Sequence, residues 1–240
     1  MSFGQESLRF WYCKIRDLRI PQPKTIIIPV KDDSLRYFAF IKRDLPALIL
    51  EKLTAGATSF GFPLFLRTDI TSYKQEWDRT CYVSAEEALL ENARRIVSYS
   101  LLVEQQNMKT TAIVLREYIP LDVGFSAFSG SLPIAAERRF FVLKGEVLCH
   151  HPYWTETVIL NPNKPDWRMR LIQLNKISSN EVKLLSKYAS QIAQKISGGW
   201  SVDFVRTNAK KWILIDMAPI EKSSLPDPSC DRCTKEKGIA

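Results

Sequence analysis

No run in this 240-residue chain approaches the ~18 apolar residues that a membrane-crossing helix needs. The opening MSFGQESLRF lacks the charged-then-apolar layout of a secretion signal, so the expected location is the cytoplasm, with no membrane partner. Glycine and proline, 9 and 13 residues, are too few for long disorder or fibrous repeats. Cysteine is sparse and scattered (Cys13, Cys81, Cys149, Cys230, Cys233), which argues against a disulfide scaffold. There is no internal repeat, and no Lys/Arg block of the kind that forms a nucleic-acid tail. What remains is ordinary globular composition: 45% apolar and 25% charged residues, enough chain for one large domain or two small ones sharing a cleft.

The charge is less ordinary. Thirty-four basic against 26 acidic residues leave a net +8. A basic excess suits phosphates, nucleic acid or an acidic protein, and a merely solvated basic surface accounts for it equally well.

Strands are predicted at 26–30 (IIIPV), 35–41 (LRYFAFI), 63–69 (PLFLRTD) and 110–118 (TTAIVLREY). Asp44 is read as the cap of a helix that stops at Gly56, and Ser84 with Glu87 as a capping box for a helix running to about Gln106. The polar ITSYKQEWDR reads as a loop, and 121–135 as a flexible connection. Lys144-Gly145 predicts a hairpin. Val182, Leu185, Ala189, Ile192 and Ile196 form one apolar stripe of a helix starting at Ser178 or Ser179 and ending at Gly198-Gly199. A second hairpin joins 200–206 to 211–217. Interspersed helices and hairpins favour an α+β chain. The break near 119–121 divides it into lobes 1–118 and 119–222, followed by a loose tail, 223–240.

Two features carry chemistry. In the second hairpin, a two- or four-residue loop around Asn208-Ala209 sets Asp203 opposite Leu214. Asp203 and Asp216 are then diagonal neighbours on one face, about 7–8 Å apart at the backbone. Two acids flanked by apolar residues repel unless a cation joins them, and Mg²⁺ favours a few carboxylates with phosphate oxygens. A hydrated exposed face is the alternative, and a three-residue loop would put the two acids on opposite faces. The second feature is basic: Arg67 and Arg139 lie inside apolar strands, with Lys74 in the polar loop. Each needs an anion, either a phosphate or an internal partner such as Glu137 for Arg139. Pairing across Lys144-Gly145 sets Arg139 opposite His150, with His151 pointing away. His150 is thus a candidate supporting residue.

Cys230-Asp-Arg-Cys233 has the spacing of half a zinc site. No second CxxC completes it, and His150-His151 lie far off in sequence, so no structural zinc is expected.

Taken in order, IPQPKTIII, PLFLRTDITSYKQEW, VLREYIP, ERRFFVLKGEV, and GWSVDFV with WILIDMAP resemble the ATP-grasp superfamily over residues 18–220. The chain looks most like the small clade named for two arginines and a lysine, related to the cell-division-cycle 123 proteins. The resemblance implies two α+β lobes with Mg-ATP between them. Most ATP-grasp proteins join a carboxylate to an amine or thiol through an acyl-phosphate. Position by position, it implies Arg67 and Lys74 on the phosphates. Glu117 with the Tyr118–Ile119 backbone would read adenine, and Asp122 would hold ribose. Arg139 would lie near the γ-phosphate, and Asp203 and Asp216 would bind metal. Two departures stand out. Asp216-Met217-Ala218 ends in Ala where relatives carry Asn, and TDITSYK contains no glycine. With only about twenty residues ahead of IPQPKT, no additional N-terminal substrate domain is expected.

The expected function is therefore an ATP-dependent ligase with an unknown carboxylate acceptor. The alternatives are an assembly chaperone or adaptor that binds a protein and uses ATP structurally, and a nucleic-acid-binding module.

Overall fold

The computed structural model describes residues 4–30, 33–41, 44–104, 109–128, 131–223 and 230. Two compact units emerge: Met1–Arg9 with Pro23–Ile119, and Phe10–Gln22 with Pro120–Ala240. The second unit thus includes residues 10–22, which the sequence assigns to the first lobe. Helix α1 (Leu8–Ile15) carries the chain from one unit to the other. Most of the tail, including Cys233, lies outside the described residues.

The first unit contains β1 (Thr25–Pro29), α2 (Ser34–Phe40), α3 (Ala47–Phe60), β2 (Leu64–Thr68), β3 (Tyr82–Val83), α4 (Glu86–Leu102) and β4 (Ala112–Glu117). Its antiparallel sheet has the order β1-β4-β2-β3. Leu53 and Ala57 of α3, with Leu89, Ala93 and Ile96 of α4, bury their apolar faces with Leu66, Ile113 and Leu115 of the sheet.

Four expectations fail here. Residues 34–40 form a helix, because Leu35, Phe38 and Ala39 bury at helical spacing. α3 starts after Pro46 instead of Asp44, runs through Gly56 and stops at Gly61, whose φ of 72° suits glycine. Gly56 lies inside the helix because a Cβ there would meet Leu115 at 2.9 Å. α4 starts one residue later than the capping box requires: Ala85 is its N-cap, with no side-chain cap bond, while Glu86 and Glu87 favour its N-terminal dipole. The polar loop contains a 3-10 helix, Lys74–Arg79, anchored by the buried Trp77 against Phe65 and Tyr82.

The second unit opens with the hairpin β5 (Val123–Ala127) and β6 (Leu132–Ala135), where the sequence suggests only a flexible connection. Phe125 and Ala127 alternate into its interior with Leu132 and Ile134, a period-2 pattern masked by small residues. β7 (Glu137–Leu143) and β8 (Glu146–Pro152) form the expected hairpin, with Lys144 and Gly145 both at positive φ. Helices α5 (Trp167–Leu174) and α6 (Ser179–Lys195) follow, then β9 (Gly199–Arg206) and β10 (Trp212–Pro219). The sheet order is β10-β9-β7-β8. α6 packs on this sheet through the predicted stripe, and Tyr188 meets Phe204 of β9 at 6.2 Å. Its capping box, Ser178 with Glu181, is fully formed. The two four-stranded sheets, the two-stranded β5–β6 sheet and their helices make the chain α+β. Among the described residues no helix is long and apolar enough to cross a membrane.

Candidate nucleotide and metal site

The β9–β10 hairpin departs from its expected register and still sets Asp203 and Asp216 on one face. Its loop is a three-residue turn: the Thr207 N–H donates to the Lys211 carbonyl at 2.8 Å, and Lys210 adopts φ 59°. Such a loop alone would put Asp203 and Asp216 on opposite faces. A β-bulge at Ile215 adds the missing residue, so Leu214 pairs with Phe204 and Asp216 pairs with Asp203. The two acids are therefore directly opposite on one face rather than diagonal, and Asp203 does not face Leu214.

Asp203 is committed elsewhere. β7 pairs with β9 so that Arg139 lies directly opposite Asp203. Arg139 donates Nε to Oδ1 at 2.8 Å and Nη2 to Oδ2 at 2.7 Å, a two-pronged bond between residues 8% and 4% exposed. Burial alone would lower the Arg139 pKa. The Asp203 charge and hydrogen bonds outweigh it, and the pKa is raised. The guanidinium also sits over the Tyr153 ring at 4.7 Å. The anion directly opposite Arg139 is Asp203, brought there by strand pairing across β7 and β9, and the Glu137 charge acts on the guanidinium as well. Asp203 as it stands has both oxygens engaged by the guanidinium, so it holds a cation only if that fork opens. Asp216 accepts from the Met217 N–H at 3.0 Å and is half-buried.

A second bulge, between Phe141 and Val142, moves the register of β8. His151, not His150, lies opposite Arg139. His150 stacks on Phe140 at 4.9 Å on the other face, and burial lowers its pKa, helped by the charges of Arg138 and His151. It therefore does not support Arg139.

Asp122 has both oxygens occupied. Arg206 donates to Oδ2 at 2.9 Å and Lys210 to Oδ1 at 2.7 Å. Burial acts to raise its pKa, but these cations overcome it and the pKa is lowered. A ribose hydroxyl would have to share an oxygen already paired with a cation. Arg206 also reaches Glu181 at 3.5 Å, and Trp212 Nε1 donates to the same carboxylate at 2.8 Å. No sequence signal announces this cluster, because its members come from four separate stretches of chain.

In the first unit, Arg67 is buried in β2, its Nε donating to the Thr68 carbonyl at 3.0 Å. Lys74 begins the 3-10 helix after Tyr73, which has φ 44°. The buried Cys81 thiol lies close enough to feel both charges. Desolvation pushes its pKa up to about 12, while a Thr80 hydrogen bond, Lys74 and Arg67 pull the other way. Glu117 Oε1 accepts from the Lys24 N–H at 2.8 Å, and its own N–H donates to the Lys24 carbonyl. Tyr118 packs edge-on against Tyr82 at 5.3 Å. The Ile119 N–H has no hydrogen-bond partner among the described residues.

Two antiparallel sheets carrying basic and acidic residues at buried strand positions fit the ATP-grasp class. Residues 54–236 match the ATP-grasp domain of family 3 of the clade named for two arginines and a lysine, and the chain belongs to that family. Among solved structures, it resembles C-terminally truncated Cdc123 from Schizosaccharomyces pombe (TM-score 0.62, 13% identity, 92% of this chain and 88% of that one). It also resembles the D-alanine–D-alanine ligase of Bacillus anthracis complexed with ATP (TM-score 0.51, 13% identity, 98% and 60%). A third likeness is to the ADP complex of PurK, an N5-carboxyaminoimidazole ribonucleotide synthetase (TM-score 0.51, 14% identity, 90% and 45%). This chain thus spans about half the length of those two enzymes. No curated protein matches it in sequence.

Proposed function

We propose that the protein binds Mg-ATP and acts as an ATP-dependent carboxylate–amine or carboxylate–thiol ligase through an acyl-phosphate. The observation that carries this reading is the buried Arg139–Asp203 fork with Asp216 directly opposite Asp203. Without ligand, Arg139 and Asp203 neutralise each other. With Mg-triphosphate bound, Asp203 would have a cation and Arg139 would have phosphate anions as partners, so the fork could open with neither charge left unpaired. Arg139 then neutralises charge on the phosphoryl group during transfer. Asp203 and Asp216 would hold Mg²⁺, which prefers carboxylates, phosphate and water. Arg67 and Lys74 serve the phosphates, and Glu117 with the Tyr118–Ile119 backbone serves adenine. Asp122 reaches ribose by sharing an oxygen with Lys210, the more exposed of its two cations.

One observation favours a second reading, a non-catalytic chaperone or adaptor that uses ATP structurally. The chain accounts for 88% of the Cdc123 structure but 60% and 45% of the two enzymes. Melting scans test the shared core. At 100 Kd, Mg-ATP should stabilise the protein by about 2.7 kcal/mol, and Asp216→Ala should abolish the magnesium dependence. A scan with no Mg-dependent shift overturns nucleotide binding. ADP release dependent on an added carboxylate supports the ligase, with Arg139→Lys lowering turnover more than nucleotide affinity. A stoichiometric co-purifying protein without such release supports the adaptor.

A further inference from the structure

The geometry points to a zinc site on the edge strand of the second unit, formed by Cys149, His151 and Cys230. Cys149 and His151 are two apart on β8 and so project from one face of the strand. The bulge between Phe141 and Val142 sets that face: Phe141 pairs with Cys149, and Arg139 with His151. Cys230, eleven residues past the end of β10, returns to the same place and packs with Cys149 and Leu148 against Phe141 and Ile220. The donor atoms of the three side chains all lie within 4.8 Å of one another, and all three residues are partly buried.

These are zinc's preferred ligands, two soft sulfurs and an imidazole, in a site without carboxylates that would favour magnesium. Tetrahedral zinc, with bonds of ~2.3 Å to sulfur and ~2.0 Å to nitrogen, holds its ligand atoms roughly 3.5–3.8 Å apart. The separation here exceeds that by about 1 Å at most, within reach of side-chain rotation. Distance along the sequence is the ground on which zinc is unexpected, and folding removes it. A fourth ligand can be water. Sequence spacing also offers Cys233, which lies outside the described residues and which the inference does not require.

Cys149 stands as half of a disulfide, while Cys230 keeps its thiol. Oxidation and zinc compete for the same sulfur. A thiol or phosphine reductant breaks the S–S bond, is itself oxidised, and leaves two protonated thiols. Zinc then displaces the thiol protons of Cys149 and Cys230 to solvent and binds a neutral ring nitrogen of His151. The consequence is structural: the metal pins Cys230 to the outer strand of the sheet.

The test is metal analysis of the full chain, purified without chelator and kept reduced with a trialkylphosphine, in the absence of nucleotide. About one zinc per chain is expected, lost in Cys230→Ser and His151→Ala and retained in Cys13→Ser. Cobalt added to the zinc-free reduced protein should give thiolate-to-cobalt charge-transfer absorption, absent in Cys230→Ser. Reduced wild-type protein without bound zinc, or full zinc in Cys230→Ser, overturns the site. If Cys230→Ser fails to fold, the wild-type cobalt spectrum decides, since no thiolate band means no site. Because nucleotide is omitted, failure here leaves the Mg-ATP reading untouched.

Discussion

Arg139 and Asp203 show what one residue's charge costs when it is buried. Each is nearly inaccessible to solvent, and each satisfies the other through two hydrogen bonds. Removing one partner strands the other, a loss of about 3–5 kcal/mol. Arg139→Ala and Asp203→Ala should each destabilise by that amount in urea unfolding. The double variant Arg139→Met/Asp203→Leu should recover most of it, because no buried charge remains. Equal loss in the single and double variants would mean that the pair is not coupled. Arg139 is recognisable in the sequence as a cation in need of an anion. Its partner is not, because Asp203 is 64 residues away and meets it only through β7–β9 pairing.

The N-terminus of α6 joins a helix to the neighbouring hairpin at the scale of elements. Glu181 closes the capping box with Ser178 and also accepts from Trp212 and Arg206 of β10 and β9. Burial pushes its pKa up, but the Ser178 N–H, the Trp212 ring N–H, the Ser178 hydroxyl and Arg206 together bring it down to about 2, from an ordinary 4.5. A depressed carboxylate pKa contributes stability that is fully present above the unfolded value and lost as pH falls through the folded one. With solvent screening allowed for, the protein should lose on the order of 2 kcal/mol from this group between pH 4.5 and 2. Glu181→Gln should be less stable at neutral pH and show a shallower acid limb in pH-dependent unfolding. An unchanged limb would mean that Glu181 is not held by these donors. The capping box can be read from Ser178 and Glu181, three apart. The link to Trp212 and Arg206 cannot, since it depends on where α6 lands on the sheet.

For the whole molecule, membership of this ATP-grasp family poses the question of what Ala218 leaves out. Ala218 pairs with Ser201, one same-face position beyond the Asp216–Asp203 pair, and so shares their face. Mg²⁺ often keeps several waters, so water can replace a missing amide oxygen. Ala218→Asn should fold normally and bind Mg-nucleotide as tightly as the parent, or tighter, by calorimetry. If the parent lacks ATP turnover and this variant gains it, the parent is a nucleotide-binding descendant that has lost catalysis. Abolished binding would mean that position 218 packs too tightly to lie beside the proposed metal site.

By itself, the sequence determined the α+β class, the helix α6 with its apolar stripe, both long hairpins and the family. These depend on periodicity, turn residues and motif order, which are local or ordinal properties of the chain. Tertiary structure alone decided register and partnership. The bulge at Ile215 brought Asp216 opposite Asp203, and the bulge after Phe141 exchanged His150 for His151 beside Arg139. One inserted residue reverses the face of every side chain beyond it, and nothing in composition announces it. Cys230 likewise lies beside Cys149 and His151 through apolar packing on Phe141 and Ile220, which spacing in the sequence does not announce.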